Sequence, residues 1–200
     1  MELFRRIREY MSLVKVNLLS PCRAPNSFSA LFSFRLRLTK PLGKPIVGDL
    51  EPTNFCNFSC GHCQVTHWDK LKNRLTLENY GNWIGNFKIQ GMGEPFLNKQ
   101  LPEIIHDLSK RNFFIEIVSN GSVLTDKVRE TITQTDNLGF TVSFDGSTKE
   151  RFESIRIGSD FDKVVKHLSA IRNSKPLKSK LSVSMVAFAD QKDDKNLRLI

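Results

Sequence analysis

The sequence predicts an α/β fold built on a parallel sheet, and three observations carry that reading. From Pro45 onward, short apolar runs rich in β-branched and aromatic residues alternate with stretches of helical periodicity. Turn-forming pairs such as Asn120-Gly121 and Asp145-Gly146 close those runs. At 200 residues the chain is long enough for one sizeable core plus an extension.

The elements follow in order. Residues 1–19 place Leu3, Phe4, Ile7, Met11, Val14 and Leu18 at helical spacing with Arg5, Arg8, Glu9 and Lys15 between them, an amphipathic helix. Such a helix packs on the domain, or serves as a membrane-surface or partner-docking arm. Residues 20–44, with Pro21, Pro25, Pro41 and Gly43, read as an irregular linker with an apolar stretch from Phe28 to Leu38. Ile46 to Leu50 is the first strand, and the cysteine loop follows it directly. Thr76 caps a helix to about Trp83, and Phe87 to Gln90 is the second strand. Leu101, Ile104, Ile105 and Leu108 share one helix face. Phe113 to Val118 is the third strand, with a helix from Asp126 to Thr133 after it. Phe140 to Phe144 is the fourth. Ser147-Thr148-Lys149-Glu150 then reads as a capping box opening a helix. A helix over Phe161 to Ile171, a strand over Leu181 to Phe188 and a helix near Asp194 complete the pattern.

The division is therefore a basic extension and linker over 1–44 and an α/β body over 45–200. Of the net charge of +9, the extension carries most: it holds nine Lys/Arg against two Asp/Glu. The body is nearly neutral, which gives no support for nucleic-acid binding. No apolar run reaches the roughly 18 residues of a membrane span, and no secretory signal is evident.

In a parallel sheet made by right-handed crossovers, ligands bind at the carboxyl ends of the strands. The polar features all fall there. They are the cysteine loop, Gly91-Met92-Gly93-Glu94-Pro95, Asn120-Gly121, and Ser143 with Asp145. Of four cysteines, Cys56, Cys60 and Cys63 crowd into eight residues, while Cys22 stands alone in the linker. Such crowding is a poor disulfide framework and reads as metal ligation or redox chemistry in a reducing compartment. Three soft thiolates suit three corners of a [4Fe–4S] cluster, leaving one iron open. Two other readings stand beside this. Cys60-Gly61-His62-Cys63 alone matches a thioredoxin-like redox pair, and Cys22, His62 or His67 would complete a zinc site. Each downstream segment, taken singly, is also an ordinary turn.

The spacing Cys56-x3-Cys60-x2-Cys63 just after the first strand resembles the signature of the radical S-adenosylmethionine (SAM) superfamily. The resemblance implies a partial (β/α)6 TIM-like barrel of parallel strands. It also implies two cofactors, a [4Fe–4S] cluster and SAM, with reductive cleavage of SAM to a 5′-deoxyadenosyl radical. Cys56, Cys60 and Cys63 would be the metal ligands. Gly91, Gly93 and Glu94 resemble the family's GGE segment, which receives the SAM amino group. Ser119-Asn120-Gly121 resembles its TNG and Ser143-Phe144-Asp145-Gly146 its S-x-D-G, so Asn120, Ser143 and Asp145 join the cofactor-binding set. Arg156 matches an arginine often seen after this strand, which either pairs with the SAM carboxylate or stands solvated on a helix face. His62 stands where many relatives carry an aromatic residue. The run from Asp49 to Pro95 is most similar to the SPASM-type branch, many of whose members modify peptides.

The resemblance covers about residues 45–195. It implies an electron donor such as flavodoxin or ferredoxin, a peptide or small-metabolite substrate, and a low-oxygen cytoplasmic setting. It also sets an expectation of truncation, because the sequence reaches Ile200 just as the fifth helix begins and has no cysteine after Cys63. The sixth strand and the C-terminal cysteine-rich region of that branch have no counterpart in it. A non-catalytic scaffold and a zinc or dithiol module are the competing functions.

Overall fold

The structure, a computed structural model, describes residues 20–67, 84–177 and 179–186. The expected helices over residues 1–19, over Thr76 to Trp83 and near Asp194 lie outside those residues, as do Trp68 and the end of the fifth strand.

Five parallel strands form one sheet in chain order: β1 (Val47–Leu50), β2 (Asn86–Ile89), β3 (Phe114–Ser119), β4 (Leu138–Ser143) and β5 (Lys180–Ser184). When parallel strands are added in sequence order, right-handed crossovers put every connection on the same face. The burial pattern records this. Ile115, Ile117, Leu138, Phe140 and Val142 are buried, while Glu116, Val118, Thr141 and Ser143 between them are half-buried. The buried face packs on α2 (Leu101–Lys110), α3 (Asp126–Gln134) and α5 (Phe161–Arg172) through Leu101, Ile105, Leu108, Val128, Ile132, Val164 and Ile171. The opposite face is polar, with Asp49, Lys88 and Glu116 in register across β1, β2 and β3. Five parallel strands with helices on one side are the architecture of a partial barrel.

Helix starts agree with local chemistry. Thr125 caps α3 by accepting from Val128 N at 3.2 Å, and Asp160 caps α5 by accepting from Lys163 N at 2.9 Å. The short α4 (Lys149–Ile155) differs by one residue from expectation: Thr148, not Ser147, is the cap, accepting from Arg151 N at 3.3 Å. The extended Asp145-Gly146-Ser147 stretch delays the first helical turn. The rings of Phe144, Phe152 and Phe161 then pack together, with centroids 4.6–5.7 Å apart, and fix the end of β4 against α4 and α5.

The larger correction concerns the linker. Within residues 20–44, the segment Ala24–Arg35 is an α-helix, α1. Its prolines do not break it. Pro25 sits in the first turn, where no backbone N–H is required, and Pro21 and Pro41 lie beyond its ends. Arg23, just before α1, ties this segment to the core. Its Nη1 donates to the Asn112 carbonyl at 2.8 Å and its Nη2 to the Arg111 carbonyl at 2.7 Å. The guanidinium also lies 4.6 Å from the Phe113 ring centroid. Replacing Arg23 with alanine is expected to cost about 2–3 kcal/mol, from two hydrogen bonds to a charged donor plus the ring contact. Urea unfolding checks this; a loss below about 0.5 kcal/mol would mean the tether carries no weight.

Candidate active site

The cysteine loop leaves β1 at Leu50 and is held by three other segments. From the β2 end, Glu94 N donates to the Phe55 carbonyl at 2.7 Å, and Asn98 Nδ2 donates to the Pro52 carbonyl at 2.9 Å. Gly93 packs directly on this loop, where an added Cβ would stand 2.2 Å from the Thr53 carbonyl oxygen. From the β3 end, Asn120 Nδ2 donates to Asn57 Oδ1 at 3.0 Å, and Asn57 Nδ2 donates to Ser122 Oγ at 3.0 Å. From beyond α4, the Ile157 carbonyl accepts from Ser59 N at 2.8 Å. The loop closes on itself as well: the Cys60 carbonyl accepts from Cys63 N at 3.0 Å and Thr66 Oγ1 at 2.8 Å.

This bracing brings Cys56, Cys60 and Cys63 to the wall of one cavity of about 370 Å³ at the carboxyl ends of the strands. All three are free thiols. Asn120 Nδ2 also lies 3.9 Å from Cys56 Sγ. Burial pushes the Cys56 and Cys60 thiols above their usual range, so binding a metal there must expel protons. Among the described residues, no three His, Cys, Asp or Glu side chains gather at single-ion spacing. A [4Fe–4S] cube takes each thiolate at a different iron and so spreads them.

Gly91, Gly93, Glu94, Asn120, Ser143 and Arg156 line the same cavity, and Gln90 and Val118 complete its sheet side. Two acidic residues of these segments are hydrogen-bonded within the protein. Glu94 is 1% exposed. Its Oε1 accepts from Ser119 Oγ at 2.8 Å and Phe96 N at 3.2 Å, and its Oε2 accepts from Asn120 N at 2.7 Å. Glu94 thus welds the β2 and β3 ends together. Burial holds its carboxyl above the usual range against the pull of these donors. Asp145 is equally buried and lies outside the cavity lining. Its Oδ2 accepts from Arg156 Nη2 at 2.6 Å, and its Oδ1 accepts from Val186 N at 2.8 Å. Arg156 faces the cavity with 9% of its side chain exposed, and its buried Nε has no protein acceptor. His62 lines the cavity 3.7 Å from Asp145 Oδ2, whereas His67 hydrogen-bonds the loop's own Gly61 carbonyl.

The donor set fits an iron–sulfur cluster with an amino-acid-bearing ligand. Three free thiols line one wall, the segment from Gly91 to Gly93 borders the same cavity, and Arg156 offers an unsatisfied N–H to an anion. Asn57 and Ser122, which brace the loop, were not prominent in the sequence. Their partnership spans 65 residues and has no local pattern.

The family model described as the radical SAM superfamily matches residues 50–197. The mycofactocin maturase MftC of Mycobacterium tuberculosis is 25% identical over 134 residues, covering 64% of this chain and 34% of that protein. The GTP 3′,8-cyclase of Clostridium botulinum is 27% identical over 156 residues, covering 71% of this chain and 49% of that protein. The structure of anSMEcpe with bound AdoMet and the Cp18Cys peptide aligns with a TM-score of 0.57 at 17% identity. It covers 74% of this chain and 45% of that one. The chain thus spans between about a third and about half the length of these relatives.

Proposed function

The chain belongs to the radical SAM superfamily, and we propose that it is an enzyme of that kind, with a [4Fe–4S] cluster held by Cys56, Cys60 and Cys63. The observation that carries this reading is the convergence of three free thiols and the ends of β2, β3 and β4 on one cavity. The superfamily's cofactors are the cluster and SAM, and solved neighbours of this fold carry AdoMet. When bound and reduced, the cluster supplies the electron that cleaves SAM to methionine and a 5′-deoxyadenosyl radical.

The chain's own residues supply binding and orientation. The backbone at Gly91 and Gly93 receives the ligand's amino group at close range. Glu94 keeps one acceptor position on Oε2 for that ammonium, since a carboxylate offers about four lone-pair sites and three are filled. Arg156 pairs with the ligand's carboxylate, with Asp145 as the positioning residue that aims the guanidinium. Ser143 and Asn120 offer hydroxyl and amide groups along the cavity edge. Low-potential electrons would come from a flavodoxin- or ferredoxin-type donor. A peptide is the favoured substrate, supported by the peptide held in the anSMEcpe structure. The GTP cyclase keeps a small metabolite as the second reading.

The test uses anaerobically purified, cluster-reconstituted protein given SAM and dithionite. About four irons per chain and formation of 5′-deoxyadenosine are expected. Cys56→Ala, Cys60→Ala or Cys63→Ala is expected to remove the cluster and bring deoxyadenosine to background. A full cluster without deoxyadenosine would favour the non-catalytic scaffold, and retained cleavage in a cysteine variant would sink the mechanism.

A further inference from the structure

Helix α1 buries small polar residues and leaves large apolar ones exposed around its circumference. Ser27 and Ser33 are buried, and Ser33 Oγ accepts from Leu42 N at 2.9 Å. Gly43 packs so tightly on the helix that an added Cβ would stand 2.5 Å from Ala30 N. Asn26 clasps the Lys44 main chain in both directions, donating to its carbonyl at 3.1 Å and accepting from its N–H at 2.7 Å. The helix and the segment that follows it leave the apolar bulk exposed. Phe28 is 67% exposed, Phe34 84% and Leu42 69%, with Phe32, Leu36 and Leu38 also exposed. Among the described residues nothing covers these side chains, which a helix packed only on its own domain would bury.

The charges on this segment share one sign. Arg35, Arg37, Lys40 and Lys44 lie among the exposed apolar residues, and the sequence has no Asp or Glu between Glu9 and Asp49. Exposed aromatic and aliphatic side chains flanked by cations alone are the chemistry that seats a surface segment in the headgroup region of an anionic bilayer. No described helix is long and apolar enough to cross a membrane, so the contact lies on the surface. We infer that α1 and the segment returning from it form a docking surface for an anionic membrane. An RNA is a poorer match, because Leu36, Leu38 and Leu42 have no π face to stack on bases, and Phe28 and Phe32 stack on each other with rings 15° from parallel. The placement suits the site. Arg23 anchors the segment where the chain enters β3, at the amino end of the sheet, while the cavity opens at the carboxyl ends. A docked chain therefore keeps its cavity free.

The experiment is co-sedimentation of the full chain with vesicles of phosphatidylcholine alone and of equimolar phosphatidylglycerol and phosphatidylcholine. Binding to the anionic vesicles only, released by high salt, is expected. F28S/F32S/F34S should abolish it. R35Q/R37Q/K40Q should weaken it roughly a hundredfold, the effect of removing three surface cations. All six positions are exposed, and circular dichroism verifies the fold. Four results would each overturn the inference: no binding to anionic vesicles, binding unchanged in both variants, salt-sensitive binding to polyuridylate in its place, or a dimer that the phenylalanine variant dissociates while vesicles stay unbound. Vesicle binding needs no cluster, so its failure would leave the catalytic reading untouched.

Discussion

Asp145→Asn is expected to destabilise the chain by about 3–5 kcal/mol. The change is nearly isosteric and keeps an oxygen for Val186 N, so little packing is lost. What it removes is the carboxylate facing Arg156 Nη2 at 2.6 Å, and it sets an amide N–H₂ or a neutral oxygen there instead. The guanidinium stays charged and is nine-tenths buried, with Nε already lacking a protein acceptor. A domain has only about 5–15 kcal/mol of stability to lose, so this one substitution removes a large share. The double variant Asp145→Asn/Arg156→Met should recover much of the loss, because an apolar side chain carries no charge to strand. Urea unfolding of the two single variants and the double variant measures the coupling. A loss under about 1 kcal/mol in Asp145→Asn would mean that water, not Asp145, satisfies Arg156.

The sheet was legible because its physics is local. Each strand presents β-branched or aromatic residues over a few positions, and each following helix repeats its apolar residues at helical spacing. Handedness alone leaves a doubly wound order open, and the family resemblance is what favoured chain order. Helix α1 was not legible, because its apolar residues keep to no single face. Ser27 and Ser33 are buried while Phe28, Phe32 and Phe34 are exposed, and the prolines near it read as breakers although one occupies a first turn and two lie outside. A helix whose apolar residues face solvent defeats any reading that assumes the core is where they point.

For the site, residue types and their placement at strand ends were readable, but their partners were not. Glu94 and Asp145 both stand in segments that resemble SAM-binding motifs, yet Asp145 is engaged at both oxygens by the protein and Glu94 at three of its about four acceptor positions. Glu94 reaches Ser119 and Asn120 some 25 residues away, and Asp145 reaches Arg156 and Val186. Nothing in the spacing of a carboxylate says whether a buried donor or a ligand will meet it. That depends on which loops the fold brings within 3 Å. The bracing pair Asn57 and Ser122 escaped for the same reason.

Glycines sharpen this point, and they carry the second large effect. Gly61 and Gly93 both stand in motif segments, one between Cys60 and Cys63 and the other before Glu94. In the fold they are opposites. A Cβ at Gly61 would meet nothing within 4 Å, whereas at Gly93 it would lie 2.2 Å from the Thr53 oxygen and 2.5 Å from the Phe55 oxygen. Both obstacles are backbone, so no rotamer change relieves them, and the cysteine loop must part from the β2 end. That parting breaks the Glu94 N to Phe55 hydrogen bond and removes the support behind Cys56. Gly93→Ala is therefore expected to cost about 3 kcal/mol or more and to lower the iron bound on reconstitution. Gly61→Ala should stay within about 0.5 kcal/mol and load iron normally. Unfolding midpoints and iron content of the two variants, measured side by side, decide the matter. Equal behaviour would show that the cysteine loop does not depend on its contact with Gly93.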